Sequence, residues 1–141
     1  MREILFRAQR KDGKGWVYGD LRQTSEGCYI SSNTSRKKLE PIFTLEPIKP
    51  ETICQFTGLL DKEGVKVFEG DKFAGDEPGE YYEVSWNEDE AIFQINLYGY
   101  NLSYGEGSQE IYDDEVTCID TNCFELSALS SDVVIGNIYE N

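Results

Sequence analysis

Apolar and polar residues alternate in short runs along this chain, and turn-forming residues separate the runs at spacings of about 8–12 positions. Ile4, Phe6 and Ala8 alternate with charged or polar neighbours, which predicts a first strand. Asp12-Gly13-Lys14-Gly15 is turn chemistry, and Gly15-Trp16-Val17-Tyr18-Gly19-Asp20-Leu21 predicts the returning strand of a hairpin. Thr24-Ser25-Glu26-Gly27 turns again before a third strand at Cys28-Tyr29-Ile30. Residues 31–41 form a polar loop carrying Arg36-Lys37-Lys38. Pro41, Pro47 and Pro50 then restrict any strand around Ile42–Leu45 to a short piece or a sheet edge.

Cys54-Gln55-Phe56-Thr57 is strand-like and is expected to end at Gly58. Asp61-Lys62-Glu63-Gly64 predicts a turn, followed by the alternating Val65-Lys66-Val67-Phe68. Further strands are expected at residues 72–74, 80–86, 91–98, 115–119 and 133–139. In residues 91–98 the alternation is cleanest: Ile92, Gln94 and Asn96 on one face, Phe93, Ile95 and Leu97 on the other. Residues 99–109 are rich in Gly, Ser and Asn and read as a loop. One helix is expected over residues 122–131, with Asn122 as N-cap and Glu125 three positions on. The pattern predicts a mainly β fold, an antiparallel barrel-like or sandwich-like sheet with at most one or two short helices, in a single domain over residues 1–141.

Composition supports a sheet: the chain has nine Tyr, seven Phe and two Trp. Charge changes the picture more. Residues 1–50 carry ten basic and six acidic side chains; residues 73–141 carry sixteen acidic side chains and no Lys or Arg. Such an acidic half repels phosphate, so direct nucleic-acid binding through it is not expected. It suits a cationic partner or simple solubility. The basic N-terminal third and the acidic half can meet across subunits, or pair within one. No apolar run approaches the ~20 residues of a membrane span. The charged start, Met1-Arg2-Glu3-Ile4-Leu5-Phe6-Arg7, does not read as a signal peptide, so a cytoplasmic location is expected.

Candidate chemistry is sparse. With no His, the Ser-His and Cys-His nucleophile systems and all His-ligated metal sites are excluded. Cys28, Cys54, Cys118 and Cys123 have no C-x-x-C spacing and read as small hydrophobes. Gly105-Glu106-Gly107 matches no phosphate-binding loop. Asp113-Asp114-Glu115 is the densest carboxylate cluster, but it lacks the spacing of a calcium loop and reads as a solvated turn; Asp76-Glu77 and Glu88-Asp89-Glu90 read likewise. No catalytic, cofactor-binding or metal-ligating residue is expected. Tyr98, Tyr100 and Tyr104, in or beside the Gly-rich loop, are the candidates for protein contact.

Three segments together carry a family resemblance: Arg2–Ala8 with Gly15–Leu21; Gln55-Phe56-Thr57-Gly58-Leu59-Leu60-Asp61-Lys62-Glu63-Gly64, continued by Phe68-Glu69-Gly70-Asp71; and the terminal Ile135-Gly136-Asn137-Ile138-Tyr139-Glu140-Asn141. In these the chain resembles the YopX family of small bacteriophage and prophage proteins; residues 75–132 match only loosely. The resemblance implies a β-rich fold, a phage or prophage origin in a bacterial host and self-association. The family has no assigned activity, so no catalytic residue is carried over. The reading placed first is therefore a non-enzymatic module acting through protein contacts, as a homo-oligomer or with a host or phage protein. Behind it stand an acidic decoy that mimics nucleic-acid charge for a host protein and, last, a metal-dependent hydrolase built on carboxylates.

Overall fold

The turn at Asp12-Gly13-Lys14-Gly15 shows how local chemistry starts the fold. One oxygen of the Asp12 carboxylate accepts a hydrogen bond from the Lys14 amide at 2.9 Å, and the other meets the Arg10 guanidinium at 2.7 Å. The hairpin on either side pairs β1 (Phe6–Gln9) with β2 (Trp16–Thr24) in antiparallel register, Phe6 opposite Gly19 and Gln9 opposite Trp16. The computed structural model describes residues 2–33, 43–104, 110–122 and 132–140, with backbone alone for residues 33, 100–104 and 110–122.

The chain divides into two compact units, Met1–Gly58 and Leu59–Asn141. In the first, β3 (Gly27–Asn33), β4 (Phe43–Pro47) and β5 (Cys54–Leu60) complete an antiparallel sheet in the order β4-β3-β2-β1-β5. Its core is Ala8, Ile30 and Ile48, with Phe6, Val17, Leu21, Cys28 and Ile53 packed against them. These are the alternate positions of the strands, so one face is apolar and the other is free to be polar. At Gly19 any Cβ would overlap the Ser31 carbonyl, so β2 can carry no side chain there. A single turn of 3-10 helix (Pro50–Thr52) is pinned to β1: the Thr52 hydroxyl donates to the Lys49 carbonyl at 2.7 Å and accepts from the Gln9 amide at 2.9 Å.

β5 crosses the division and leads through the Asp61 turn to β6 (Lys66–Phe68). The second unit then forms a five-stranded antiparallel sheet from β7 (Asp71–Ala74), β8 (Tyr81–Asn87), β9 (Ile92–Tyr104), β10 (Glu110–Asn122) and β11 (Val134–Asn137), in the order β10-β9-β8-β7-β11. Its core comprises Val67, Phe73, Val84 and Ile95, joined by Tyr82, Phe93 and Val134. Trp86 meets Phe93 edge-on, with ring centroids 5.0 Å apart.

The fold is mainly β, as the alternation predicts, and neither sheet closes into a barrel. The expectation that proline confines β4 to a short edge piece also holds. Other expectations change. β5 does not end at Gly58 but runs to Leu60, because Gly58 takes a φ of +90° that a glycine accepts without strain. The Gly-, Ser- and Asn-rich stretch is not loop from residue 99: β9 continues to Tyr104, paired along its length with β10, so ladder hydrogen bonds outweigh weak β-propensity there. Asn122, the expected N-cap, is the last residue of β10. The remainder of the expected helix, residues 123–131, lies outside the described residues, as do Gly105-Glu106-Gly107 and Arg36-Lys37-Lys38.

Candidate protein-contact surfaces

In the first unit the face of β2, β3 and β4 opposite the core carries Asp20, Ser31 and Leu45 in one cross-strand row. Phe43 follows two residues from Leu45 on the same face, by the period-two geometry of a strand. Together with Leu21 and Arg22 these residues line a groove of about 390 Å³. Phe43 is 60% exposed and Leu45 47%, high values for apolar side chains held in a regular strand. A smaller depression of about 250 Å³ beside Cys28 is flanked by Lys11 and Lys49 but also by Glu26 and Glu51, so its charges oppose one another. Cys28 is half-buried against the core, and Cys54 is buried with its thiol donating to the Thr52 carbonyl at 3.3 Å, so both cysteines sit as the sequence expects.

The second unit has an outward face of a different kind. Tyr81 on β8 and Tyr98 on β9 are directly opposed in register, and their rings stack at 5.3 Å. The Lys72 ammonium lies 4.7 Å over the Tyr81 ring. Beside them runs a polarised chain of side-chain hydrogen bonds. The Asn87 amide donates to Gln94 at 2.9 Å, Gln94 to Asn96 at 3.1 Å, and Asn96 to the Ser85 hydroxyl at 3.0 Å. Glu83 stands opposite Asn96 and Lys72; partial burial pushes its carboxyl above the ordinary range, while the Lys72 charge pulls it back.

Of the three tyrosines chosen from the sequence, Tyr98 is half-buried in this stack. The backbones of Tyr100 and Tyr104 continue the same strand rather than a loop; their side chains lie outside the described residues. Asp113-Asp114-Glu115 is not a turn. It lies inside β10, where the register to β9 shifts between Tyr112 and Val116. Asp89 and Glu90 do form a turn, their amides donating to the Asn87 side-chain oxygen at 3.0 and 3.1 Å. Among the described residues no group of three or more Cys, Asp or Glu is placed to hold a metal ion, and no helix is long and apolar enough to cross a membrane.

Pattern reading missed a pair of buried carboxylates that fasten β11. Asp61 accepts from the Glu63 and Val65 amides, both at 2.8 Å, with one oxygen and from the Val134 amide at 3.1 Å with the other. Burial raises its pKa, but these backbone donors outweigh burial and hold the carboxyl below its ordinary 3.8. Asp71, fully buried, accepts from the Phe68 amide at 2.8 Å and from the Asn137 side chain at 3.1 Å. Asn137 also donates to the Glu69 carbonyl at 3.3 Å and accepts from the Tyr139 amide at 3.0 Å. Gly70 has φ +83°, and a Cβ there would press to 3.0 Å from the Asn137 amide nitrogen. The Asp61 turn, the Glu69-Gly70-Asp71 turn and the Gly136-Asn137 end of the chain are thus one hydrogen-bonded clamp. The signal was present in the sequence, as the motif segments around Asp61, Gly70 and Asn137, but nothing local says that they meet.

Exposed apolar side chains lie on the segments the clamp joins: Leu60, Val65, Ile135, Ile138 and Tyr139, with Ile135 61% exposed. A family model described as YopX protein matches residues 5–141 of the chain. No curated protein matches it.

Proposed function

Since the chain belongs to the YopX family, with nearly its whole length covered by the family model, we propose that it is a phage- or prophage-derived protein that performs no catalysis and works through protein contacts, assembling first with further copies of itself. The observation that carries this reading is the set of exposed apolar side chains, Leu60, Val65, Ile135, Ile138 and Tyr139, on the segments held by Asp61 and Asn137. Exposed apolar area on a rigid support is what an interface core needs, because contact there removes water without first ordering a loop. Charge adds direction. The surplus of basic side chains in residues 1–50 and the sixteen acidic side chains of residues 73–141 attract across copies and repel like onto like. Unlike surfaces meeting in this way give head-to-tail contacts, which close as rings or run on as filaments.

The test is molar mass in solution. Size-exclusion chromatography with light scattering is expected to give a mass above the 16.1 kDa of one chain, falling as salt rises, and Ile135→Glu is expected to lower it further. A mass of one chain at every salt concentration removes the self-assembly reading.

A further inference from the structure

We propose that the face of β2, β3 and β4 opposite the core, in one copy of the chain, receives the exposed apolar set of the Asp61 turn and β11 from the next copy. Assembly is then head-to-tail, with one surface drawn from each unit. The inference rests on the self-assembly reading above and names the surface that the apolar set meets.

Exposure marks out the two surfaces. Among the described residues of the first unit, the exposed large apolar side chains are Ile4, Tyr18, Phe43 and Leu45. Three of these four share one face. Leu45 stands in the row with Ser31 and Asp20, Tyr18 lies two residues before Asp20 on β2, and Phe43 two residues before Leu45 on β4. The groove of about 390 Å³ there is lined by Phe43, Leu45 and Leu21 with Asp20, Arg22 and Ser31, an apolar wall with a polar rim. In the second unit Leu60, Val65, Ile135, Ile138 and Tyr139 are exposed. Their segments are held by backbone bonds, the Lys62 amide to the Asp132 carbonyl and the Ile138 amide to the Gly70 carbonyl, both at 2.9 Å. Contact there needs no segment to be ordered first.

Charge decides which surface meets which. The second-unit set can face itself across two copies, or it can face the first unit. Counted over the described side chains alone, the first unit has seven basic and six acidic groups, the second three basic and thirteen acidic. Contact between two second units sets one strongly negative body against another, and like charge at an interface selects against that pairing. The first unit is close to neutral, so it receives the acidic unit without that repulsion. Asp20 and Arg22 on the groove's rim offset each other, which leaves Tyr18, Phe43 and Leu45 to take apolar side chains rather than a particular charge. Unlike surfaces make a heterologous contact, in which each copy offers one receiving face and one inserted set.

The test is complementation between two altered chains, read as molar mass by light scattering. Leu45→Glu blocks the receiving face and Ile135→Glu the inserted set; both positions are exposed, so circular dichroism is expected to match the unaltered chain. Each variant alone is expected to have the 16.1 kDa mass of one chain. Mixed in equal amounts, they are expected to pair at twice that mass and grow no further, because one keeps only the face and the other only the set. Leu45→Lys loses the same apolar contact without repelling an acidic partner. It is expected to assemble at a concentration about tenfold lower than Leu45→Glu needs. Should Leu45→Glu disturb the sheet, Tyr18→Glu on the same face takes its place. Variants that assemble like the unaltered chain, that remain dimers alone, or that fail to pair when mixed overturn the proposal and leave self-assembly standing. An unaltered chain with the mass of one copy at every salt concentration removes the self-assembly reading, and this proposal with it.

Discussion

Asp61 shows how much one residue can tie together. Its carboxylate holds two amides of its own turn and the Val134 amide 73 positions away. These donors favour the charged form, so the carboxyl protonates more readily in the unfolded chain than in the folded one. The sign follows. Stability from this group is complete above the ordinary value of 3.8 and is lost as pH falls through the lower folded value. Asp61→Asn removes that dependence. Thermal midpoints recorded between pH 5 and pH 2 are expected to fall less steeply for Asp61→Asn than for the unaltered chain, from a lower starting point. Parallel curves would show that Asp61 is not bound as described.

At the scale of elements, two kinds of strand surface do different work. The inner faces of β7, β8 and β9 meet at Phe73, Val84 and Ile95, and Val84 stands directly opposite Ile95. Phe73 has no exposed surface, so Phe73→Ala leaves a cavity as well as losing transfer free energy, and urea unfolding is expected to show a loss of about 3–5 kcal/mol. The outer faces hold polar or aromatic ladders, Lys72 over Tyr81 over Tyr98 and the chain from Asn87 to Ser85. Those ladders fix side chains that solvent would otherwise leave mobile, and they make the second unit's outward face rigid. On β4 the Ser32 and Thr44 hydroxyls approach at 3.2 Å on the core side, while Phe43 and Leu45 stand exposed on the other.

Across the whole molecule, charge dominates behaviour in solution. The net charge is -14 at pH 7 and the isoelectric point lies near 4.3. Net charge keeps chains apart, and its loss removes that barrier. Turbidity against pH is therefore expected to peak near pH 4.3 and to clear on either side. A peak far from that value would mean that association depends on particular contacts rather than on net charge.

Alternation and turn chemistry in the sequence determined the β class, the β1–β2 hairpin, the edge position of β4 and the inward set Phe93 and Ile95, because these depend on neighbours within a few residues. Composition likewise determined the charge asymmetry. Tertiary structure decided the rest. The length of β9 came from its partner β10, and ladder hydrogen bonds carried a Gly- and Ser-rich segment that looks like loop. The register shift at Asp113-Asp114-Glu115 is a property of the β9–β10 pair and exists in neither strand alone. Ala91 holds φ +56° at the start of β9, a conformation its side chain does not favour and only the surrounding hairpin enforces. The clamp of Asp61, Asp71 and Asn137 joins segments more than 60 residues apart, and hydrogen-bond partners at such separations leave no local pattern to read. Local energies are written in adjacent residues; long-range pairing is settled only when the chain closes on itself.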